Sequence, residues 1–282
     1  MLQLKKTLER FYRDFDFKER IKHDPIEIPR RYSDPADIEV AAFISSCFAY
    51  GKVDLFKPVI ENILKPGGIH PSEFISNFSL KKDVKYLKGI SYRFNREKDI
   101  HCLIFILSKA LKEHGTLKDL FYGNYKPGDD DIKDALAGFM DFLSGIDTSP
   151  VYGRNITPPG LKQLLPSPKT GSACKRINLF LRWLVRDKDI DFGIWDRIAP
   201  AKLIIPLDTH IARISRCLGL TDRKSSDWKM AKEISESLKK LDPDDPLKYD
   251  FALCHQGISG LCKGLESPGI CPDCSLLPDK AS

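Results

Sequence analysis

The 282-residue sequence contains no apolar run of about 20 residues, which is the length that a transmembrane helix needs. Its first residues, Met1 to Lys6, also lack the apolar stretch of a secretory signal peptide. A cytoplasmic protein without a membrane partner is therefore expected. A strong charge of one sign is missing as well, because 45 Lys and Arg oppose 39 Asp and Glu for a net charge of +6. Such an excess permits binding to nucleic acid but does not require it.

The composition is that of an ordinary globular protein, with 42% hydrophobic and 30% charged residues. A chain of this length can bury a substantial core, as one large domain or as two interleaved lobes. Four of the eight cysteines lie singly among apolar residues, which predicts reduced core cysteines rather than a disulfide framework. These four are Cys47, Cys102, Cys174 and Cys217. The other four cluster near the C-terminus.

Alternating β patterns are scarce, and most segments carry apolar residues at helical spacing. Internal repeats and low-complexity linkers are not visible. The pattern predicts an all-α fold, with helices over 37–50, 53–64, 99–114, 131–143, 173–185 and 226–241. The longest irregular stretch, 145–160, contains apolar residues among its prolines, so it is expected to be an ordered surface excursion.

A further helix start is indicated by the segment 206–213, with the sequence PLDTHIAR. Asp208 has the chemistry of an N-cap residue, and apolar side chains follow on one helical face at Ile211, Ile214 and Leu218. Gly219 suits the left-handed position that ends many helices. An isolated aspartate in this setting would simply cap the helix.

This segment resembles the (V/L)-D-T-H-(V/I)-x-R signature of the helix-hairpin-helix base-excision DNA glycosylases, the superfamily of endonuclease III and 8-oxoguanine DNA glycosylase. The resemblance implies an all-α, two-lobed fold with a DNA-binding cleft between the lobes. Residues 1–36 and 205–282 would form a discontinuous helical lobe with a cysteine-rich loop. Residues 37–204 would form a helical-bundle lobe that ends in the hairpin. In this family the aspartate, here Asp208, is essential to base excision, and Arg213 is expected among the DNA-binding residues.

The hairpin of the family runs L-P-G-V-G-x-K-T and binds a DNA phosphate at a helix N-terminus. Residues 164–181 resemble it if four extra residues are allowed in the turn, which aligns Lys175 with the catalytic lysine of the family. Only Gly171 remains of the two turn glycines, and Pro166 and Pro168 have no N–H to donate. Phosphate binding is therefore expected to depend on side chains. The predicted DNA-binding residues of this turn are Lys169, Thr170, Gly171 and Ser172.

The resemblance gives Lys175 the role of a nucleophile. Base removal passes through an oxocarbenium-like state, and a neutral amine can capture C1′ as a Schiff base and then cleave the strand. A lysine with the ordinary pKa of about 10.4 is protonated at neutral pH, so burial, Arg176 or the helix dipole would have to favour the neutral form. Asp208 would stabilise the positive charge on the sugar. A solvated lysine at a helix start is the alternative for Lys175, and Lys169 is the second candidate nucleophile.

Residues 43–52 resemble the first helix of the helical-bundle lobe and the loop after it, which fills the gap left by a flipped nucleotide. Phe48 and Tyr50 are the candidate wedges, and a core position is the alternative for each. The segment 90–94 has a weaker resemblance to the G-Y-R segment of 8-oxoguanine glycosylases.

The C-terminal cysteines resemble the end of endonuclease III, where four cysteines hold a [4Fe–4S] cluster. Cys262, Cys271 and Cys274 match three of these in order, and Cys254 is the nearest residue that could supply the fourth ligand. Four thiolates could equally hold zinc, or the loop could bind no metal.

These features together imply a bifunctional DNA glycosylase and lyase that acts as a monomer on double-stranded DNA. Its substrate would be an oxidised base, with 8-oxoguanine first and oxidised pyrimidines second. A monofunctional glycosylase is the closest alternative. A catalytically inactive DNA-binding protein of the same fold and an unrelated all-α metal-binding scaffold remain open.

Overall fold

The computed structural model describes residues 2–260, 262 and 276. These residues contain no β-strand, and two isolated bridges, Tyr92 with Asn95 and Ser172 with Asp227, are the extended pairings within them. The all-α class predicted from the sequence is confirmed. None of the helices in this part of the chain combines the length and the hydropathy needed to cross a membrane.

The α-helices follow one another through the described residues with short connections. They are α1 (Leu2–Arg13), α2 (Phe17–Ile21), α3 (Pro35–Phe48), α4 (Val53–Leu64), α5 (Pro71–Ser76), α6 (Glu97–His114), α7 (Leu117–Tyr122), α8 (Lys133–Gly145), α9 (Ser149–Tyr152), α10 (Pro159–Leu164), α11 (Lys175–Val185), α12 (Thr209–Cys217), α13 (Trp228–Lys239) and α14 (Asp250–Ile258). Single 3₁₀ turns occur at Pro25–Glu27, Pro29–Arg31, Lys65–Gly67, Val84–Leu87, Pro168–Thr170, Pro200–Lys202 and Pro246–Tyr249.

Local capping signals explain why the predicted helices form where they do. Asp34 accepts hydrogen bonds from the amides of Ala36 and Asp37 at 2.8 and 3.3 Å, and Pro35 occupies the first helical position of α3. Gly115 ends α6 with a positive φ of 80°. The stretch 145–160, expected to be an ordered surface excursion, contains α9 and the first residues of α10.

The chain forms two compact units, one of residues 21–170 and one that joins residues 1–20 to residues 171–282. The family resemblance also implies a discontinuous unit, but with boundaries at 36/37 and 204/205. The difference concerns mainly α11, which belongs to the second unit. Its buried arginines Arg182 and Arg186 form ion pairs with Asp250 and Asp245, so the helix is bound to the C-terminal part of the chain.

The unit of residues 21–170 is built around α3 and α6. Residues 37–48 of α3 are buried on every face, as in a helix at the centre of a core. Glu39 is buried within this apolar helix because its carboxylate accepts the amides of Leu117 and Lys118 at 2.6 and 3.0 Å. It thereby satisfies the first amides of α7 from a distance of 78 residues in the chain.

The other unit joins the N-terminal helix α1 to the C-terminal residues. Leu8 of α1 is fully buried, and Glu9 accepts hydrogen bonds from Lys248 and Tyr249 at 2.7 and 2.6 Å. Helices α12 and α14 pack against each other in the same unit. This packing brings the start of α12 against one side of α14, where the candidate site lies.

Candidate functional site

Asp208 is the N-cap residue of α12, as predicted. Its Oδ1 accepts hydrogen bonds from the amides of His210 and Ile211, both at 2.9 Å. These amides have no partner inside the helix, so the carboxylate satisfies the helix start. Capping uses only one of the two carboxylate oxygens.

The other oxygen of Asp208 faces Lys175. Lys175 Nζ lies 3.4 Å from Asp208 Oδ2, and the two side chains are 31% and 14% exposed. Lys175 is the first residue of α11 and follows Cys174, whose φ of 47° lies in the left-handed region. The two residues assigned to the chemistry are therefore in contact within one unit and are partly open to solvent.

A third side chain reaches the same oxygen from α14. Cys254 is partly exposed, and its thiol donates a hydrogen bond to Asp208 Oδ2 with Sγ at 3.6 Å. Cys254 is expected from the resemblance at a metal site, and no sequence feature indicates this contact. No local pattern could have revealed it, because 46 residues separate Cys254 from Asp208.

The electrostatics of this cluster favour an ionised Asp208. Burial alone would raise the pKa of Asp208, but the charge of Lys175, the Ile211 amide and the His210 ring together lower it below its usual value. The carboxylate is therefore negatively charged at neutral pH. A negative charge therefore lies beside the Lys175 amine at the start of α12.

The D-T-H-I-A-R motif is anchored to α14 by two further contacts. A Cβ placed on Gly257 would lie 2.7 Å from His210 Cβ, so only glycine allows α12 this close to α14. Arg213 donates a hydrogen bond to the carbonyl oxygen of Cys262 at 2.8 Å. Arg213, expected to contact DNA, therefore holds the chain just beyond α14.

Buried ion pairs connect α11 to the residues around it. Arg182 lies 2.5 Å from Asp250 Oδ2 and 3.3 Å from Asp191 Oδ1. One turn further along, Arg186 pairs with Asp191 and with Asp245. Burial raises the pKa of Asp250 to about 6, against the lowering effect of Arg182. These pairs fix the helix that presents Lys175.

Two of the predicted DNA-binding residues of the turn, Lys169 and Thr170, belong to the unit of residues 21–170. Lys169 is exposed, and its ammonium lies 2.5 Å from Asp141. Thr170 is exposed, and its hydroxyl donates to the carbonyl oxygen of Ser167 at 2.9 Å.

The other two residues of the turn belong to the second unit. Gly171 has a φ of 79°, which favours glycine, and its carbonyl accepts the amide of Trp228 at 3.0 Å. Ser172 Oγ accepts the amide of Cys174 at 3.2 Å. The turn is thus tied to the start of α13 before the chain enters α11.

The structure corrects the prediction of a wedge at Phe48. Its side chain is fully buried in the unit of residues 21–170, where it packs edge-on against Tyr92, so it cannot enter a base stack. Tyr50 is partly exposed, but its hydroxyl donates to Asn95 Oδ1 and to the Tyr92 carbonyl. The Tyr50 hydroxyl is therefore engaged in hydrogen bonds within the unit of residues 21–170.

A more exposed aromatic residue, not predicted from the sequence, lies nearby. Tyr92 and Asn95 exchange both backbone hydrogen bonds, at 2.9 and 2.8 Å, across a turn whose tip is Arg93 and Phe94. Arg93 has a positive φ of 50°, and Phe94 is 67% exposed. The Arg93 guanidinium lies 5.9 Å from the centres of both the Tyr50 and the Phe94 rings. The weak G-Y-R resemblance was the signal for this turn.

The predicted metal ligands are only partly within the described residues. Cys271 and Cys274 lie outside them. Cys262 is buried, and among the described residues no group of three or more His, Cys, Asp or Glu side chains is arranged to hold a metal ion. A cluster ligand is a thiolate, which has no proton to donate, so the contact of Cys254 with a carboxylate fits a thiol better than a ligand.

The comparison with protein families gives one match. Residues 24–259 match the family described as "Protein of unknown function (DUF2400)". The chain belongs to this family. The matched range includes Lys175, Asp208 and Cys254, and it ends before Cys262. The comparisons with curated proteins and with solved structures gave no match.

Proposed function

We propose that the protein is a bifunctional DNA glycosylase and lyase with the two-lobed helix-hairpin-helix fold that its motifs resemble. Its substrate is an oxidised base in double-stranded DNA, with 8-oxoguanine first, and it acts as a monomer. The observation that carries the proposal is the 3.4 Å contact between Lys175 Nζ and Asp208 Oδ2. Two residues chosen from separate motifs, each at the start of a helix, make this contact.

The chemistry assigned to Lys175 is attack on the sugar. The neutral amine forms a bond to C1′ while the bond from C1′ to the base breaks, and the base leaves with the electron pair and takes up a proton. Opening of the sugar ring gives the Schiff base. Loss of a C2′ proton then expels the 3′ phosphate and cuts the strand.

Asp208 has two tasks in this mechanism. Its ionised Oδ2 stabilises the positive charge that develops on the sugar as the base departs. The same oxygen lies 3.4 Å from the Lys175 amine and can pass the proton that the amine must lose on to solvent, so that it is ionised again when the base departs. Because Oδ1 is held by the helix amides, the carboxylate keeps its orientation throughout.

DNA contacts are proposed at two further places. In the unit of residues 21–170, the exposed Phe94 replaces Phe48 as the residue that enters the base stack, and Arg93 beside it favours contact with phosphate. The turn of Lys169 to Ser172 remains the proposed phosphate contact. The [4Fe–4S] cluster or zinc of the C-terminal cysteines also remains a proposal, without a role in the chemistry.

The test is borohydride trapping on duplexes that each contain a single lesion or none. Wild-type protein should form a covalent complex with the duplex that contains 8-oxoguanine or with one that contains an oxidised pyrimidine. Lys175→Gln should abolish the complex while DNA binding persists. Lys112→Gln, at an exposed lysine of α6, is the matched control and should trap like the wild type. Lys169→Gln should weaken DNA binding but still form the covalent complex at saturating protein concentration, because Lys169 pairs with Asp141 and is proposed to contact phosphate only.

The other outcomes separate the alternatives. Trapping lost in Lys169→Gln but kept in Lys175→Gln would give the nucleophile role to Lys169. Excision without trapping in the wild type would identify a monofunctional enzyme. Selective binding of lesion DNA without excision would identify a catalytically inactive DNA-binding protein.

A further inference from the structure

Helix α14 presents one face to the candidate site. Asp250, Cys254 and Gly257 lie on this face, since they are spaced by one turn and by two turns of helix. Their partners are Arg182, Asp208 and His210, in that order. The helix is therefore fixed at both ends of the face, by a buried ion pair at Asp250 and by close packing at Gly257.

Between these two fixed points, the Cys254 thiol meets the oxygen that faces Lys175. Asp208 Oδ1 is held by two amides, whereas Oδ2 has Lys175 Nζ at 3.4 Å and Cys254 Sγ at 3.6 Å. A thiol is a weak hydrogen-bond donor. The Cys254 thiol therefore orients Asp208 Oδ2 but leaves most of the negative charge of the carboxylate available. A serine hydroxyl at position 254 would orient Asp208 Oδ2 in the same way and would donate a stronger hydrogen bond to it.

We propose that Cys254 is a positioning residue of this site, whose thiol holds Asp208 Oδ2 toward Lys175. The expected effect on the excision rate rests on the proposed function. The geometry of the contact rests only on the packing of α14. It also separates Cys254 from the C-terminal cysteines with which the sequence groups it.

The kinetic test compares Cys254→Ala, Cys254→Ser and the control Cys217→Ala, a partly exposed cysteine at the end of α12. Loss of one hydrogen bond to a charged group should lower the single-turnover excision rate of Cys254→Ala about five- to tenfold. Its affinity for lesion DNA should stay within about twofold, because the bond acts on the chemical step. Cys254→Ser should recover most of the rate, and Cys217→Ala should match the wild type.

Either of two results would overturn the proposal. One is a wild-type excision rate in Cys254→Ala. The other is a Cys254→Ser rate as low as that of Cys254→Ala, since serine keeps the donor. Loss of bound iron or zinc from Cys254→Ala with excision intact would show a metal ligand instead.

A second measurement tests the contact without relying on excision. The alkylation of Cys254 by iodoacetamide is followed by mass spectrometry in the wild type, in Asp208→Asn and in the control Asp227→Asn, which alters the cap of α13. Removing the negative charge beside the thiol should speed alkylation severalfold in Asp208→Asn only. An equal rate in all three proteins would overturn the contact, even if the wild type proves to be no glycosylase.

Discussion

At the scale of single residues, Asp208 combines a structural and a chemical task because its two oxygens have different partners. Oδ1 caps α12, and Oδ2 faces Lys175 and Cys254. The sequence predicts that Asp208 caps a helix, and the family resemblance predicts that Lys175 shares its site. The sequence does not predict the thiol, because that contact depends on how α14 packs against α12.

Replacing Asp208 by asparagine separates these two tasks. Asparagine caps helices about as well as aspartate, so the free energy of unfolding in urea should change by less than about 1 kcal/mol. The charge that stabilises the sugar is lost, and excision should fall by about 100-fold or more. Binding to lesion DNA, measured by fluorescence anisotropy, should be unchanged or tighter. A variant that unfolds easily or still excises at the wild-type rate would contradict the assignment.

Asp250 gives a prediction for the pH dependence of stability. Burial raises its pKa in the folded chain from 3.8 to about 6, despite Arg182, and the carboxylates of Asp208 and Asp191 add to the rise. The folded chain therefore holds this proton more tightly than the unfolded chain. The stability contributed by Asp250 is present below about pH 4 and is lost as the pH rises to about 6.

The measurement is the free energy of unfolding of wild type and Asp250→Asn at a series of pH values. Between about pH 4 and 6, the free energy of unfolding of the wild type should fall more with rising pH, or rise less, than that of Asp250→Asn. Asp208 acts in the opposite direction, because its lowered pKa gives stability that is lost as the pH falls below the usual carboxyl range. Identical pH profiles for the two proteins would show that Asp250 does not titrate in this way.

At the scale of helices, the sequence predicts most of the architecture because caps and apolar spacing are local. The expected helix over 53–64 matches α4 (Val53–Leu64), and α3, α6, α11 and α13 begin or end within two residues of expectation. Phe48 shows where local information fails. The sequence predicts it within a helix over 37–50, whereas α3 ends at Phe48, and only the packing of the unit makes the side chain core rather than surface.

Helix α14 supplies an element-scale prediction through Gly257. Alanine favours a helix over glycine by roughly 0.5–1 kcal/mol, but at Gly257 its Cβ would meet His210 at 2.7 Å. Gly257→Ala should therefore destabilise the protein by about 1–3 kcal/mol and lower excision, since His210 adjoins Asp208. Gly145→Ala at the exposed end of α8 is the control, because a Cβ there meets nothing within 4 Å. Equal effects of the two substitutions on the melting temperature would contradict the close packing.

At the scale of the whole molecule, the N-terminal residues belong with the C-terminal ones. The family resemblance implies this discontinuity, but it places α11 in the other lobe. The reason lies in ion pairs that join residues far apart in the chain, such as Arg186 with Asp245. No periodicity or capping signal reports such partners, so unit boundaries are harder to predict than helices.

Two leucines of α1 test whether the N-terminal helix is part of the second unit. Leu8 is fully buried and Leu2 is 71% exposed on the same helix. Leu8→Ala should lower the free energy of unfolding by about 2–5 kcal/mol, as expected for a buried leucine. Leu2→Ala should change it by less than about 0.5 kcal/mol. If urea denaturation shows no loss of stability for either substitution, α1 is not packed in this unit.

The proposed function depends on one covalent bond, between Lys175 and the sugar of a damaged nucleotide. The most direct measurement is to trap wild-type protein on 8-oxoguanine duplex with borohydride, digest the complex, and identify the DNA-bearing peptide by mass spectrometry. The modification is expected on Lys175, and none is expected on the same peptide when Asp208→Asn is used under the same conditions. Modification of a different lysine, or no covalent complex with any oxidised base, would contradict the proposed function.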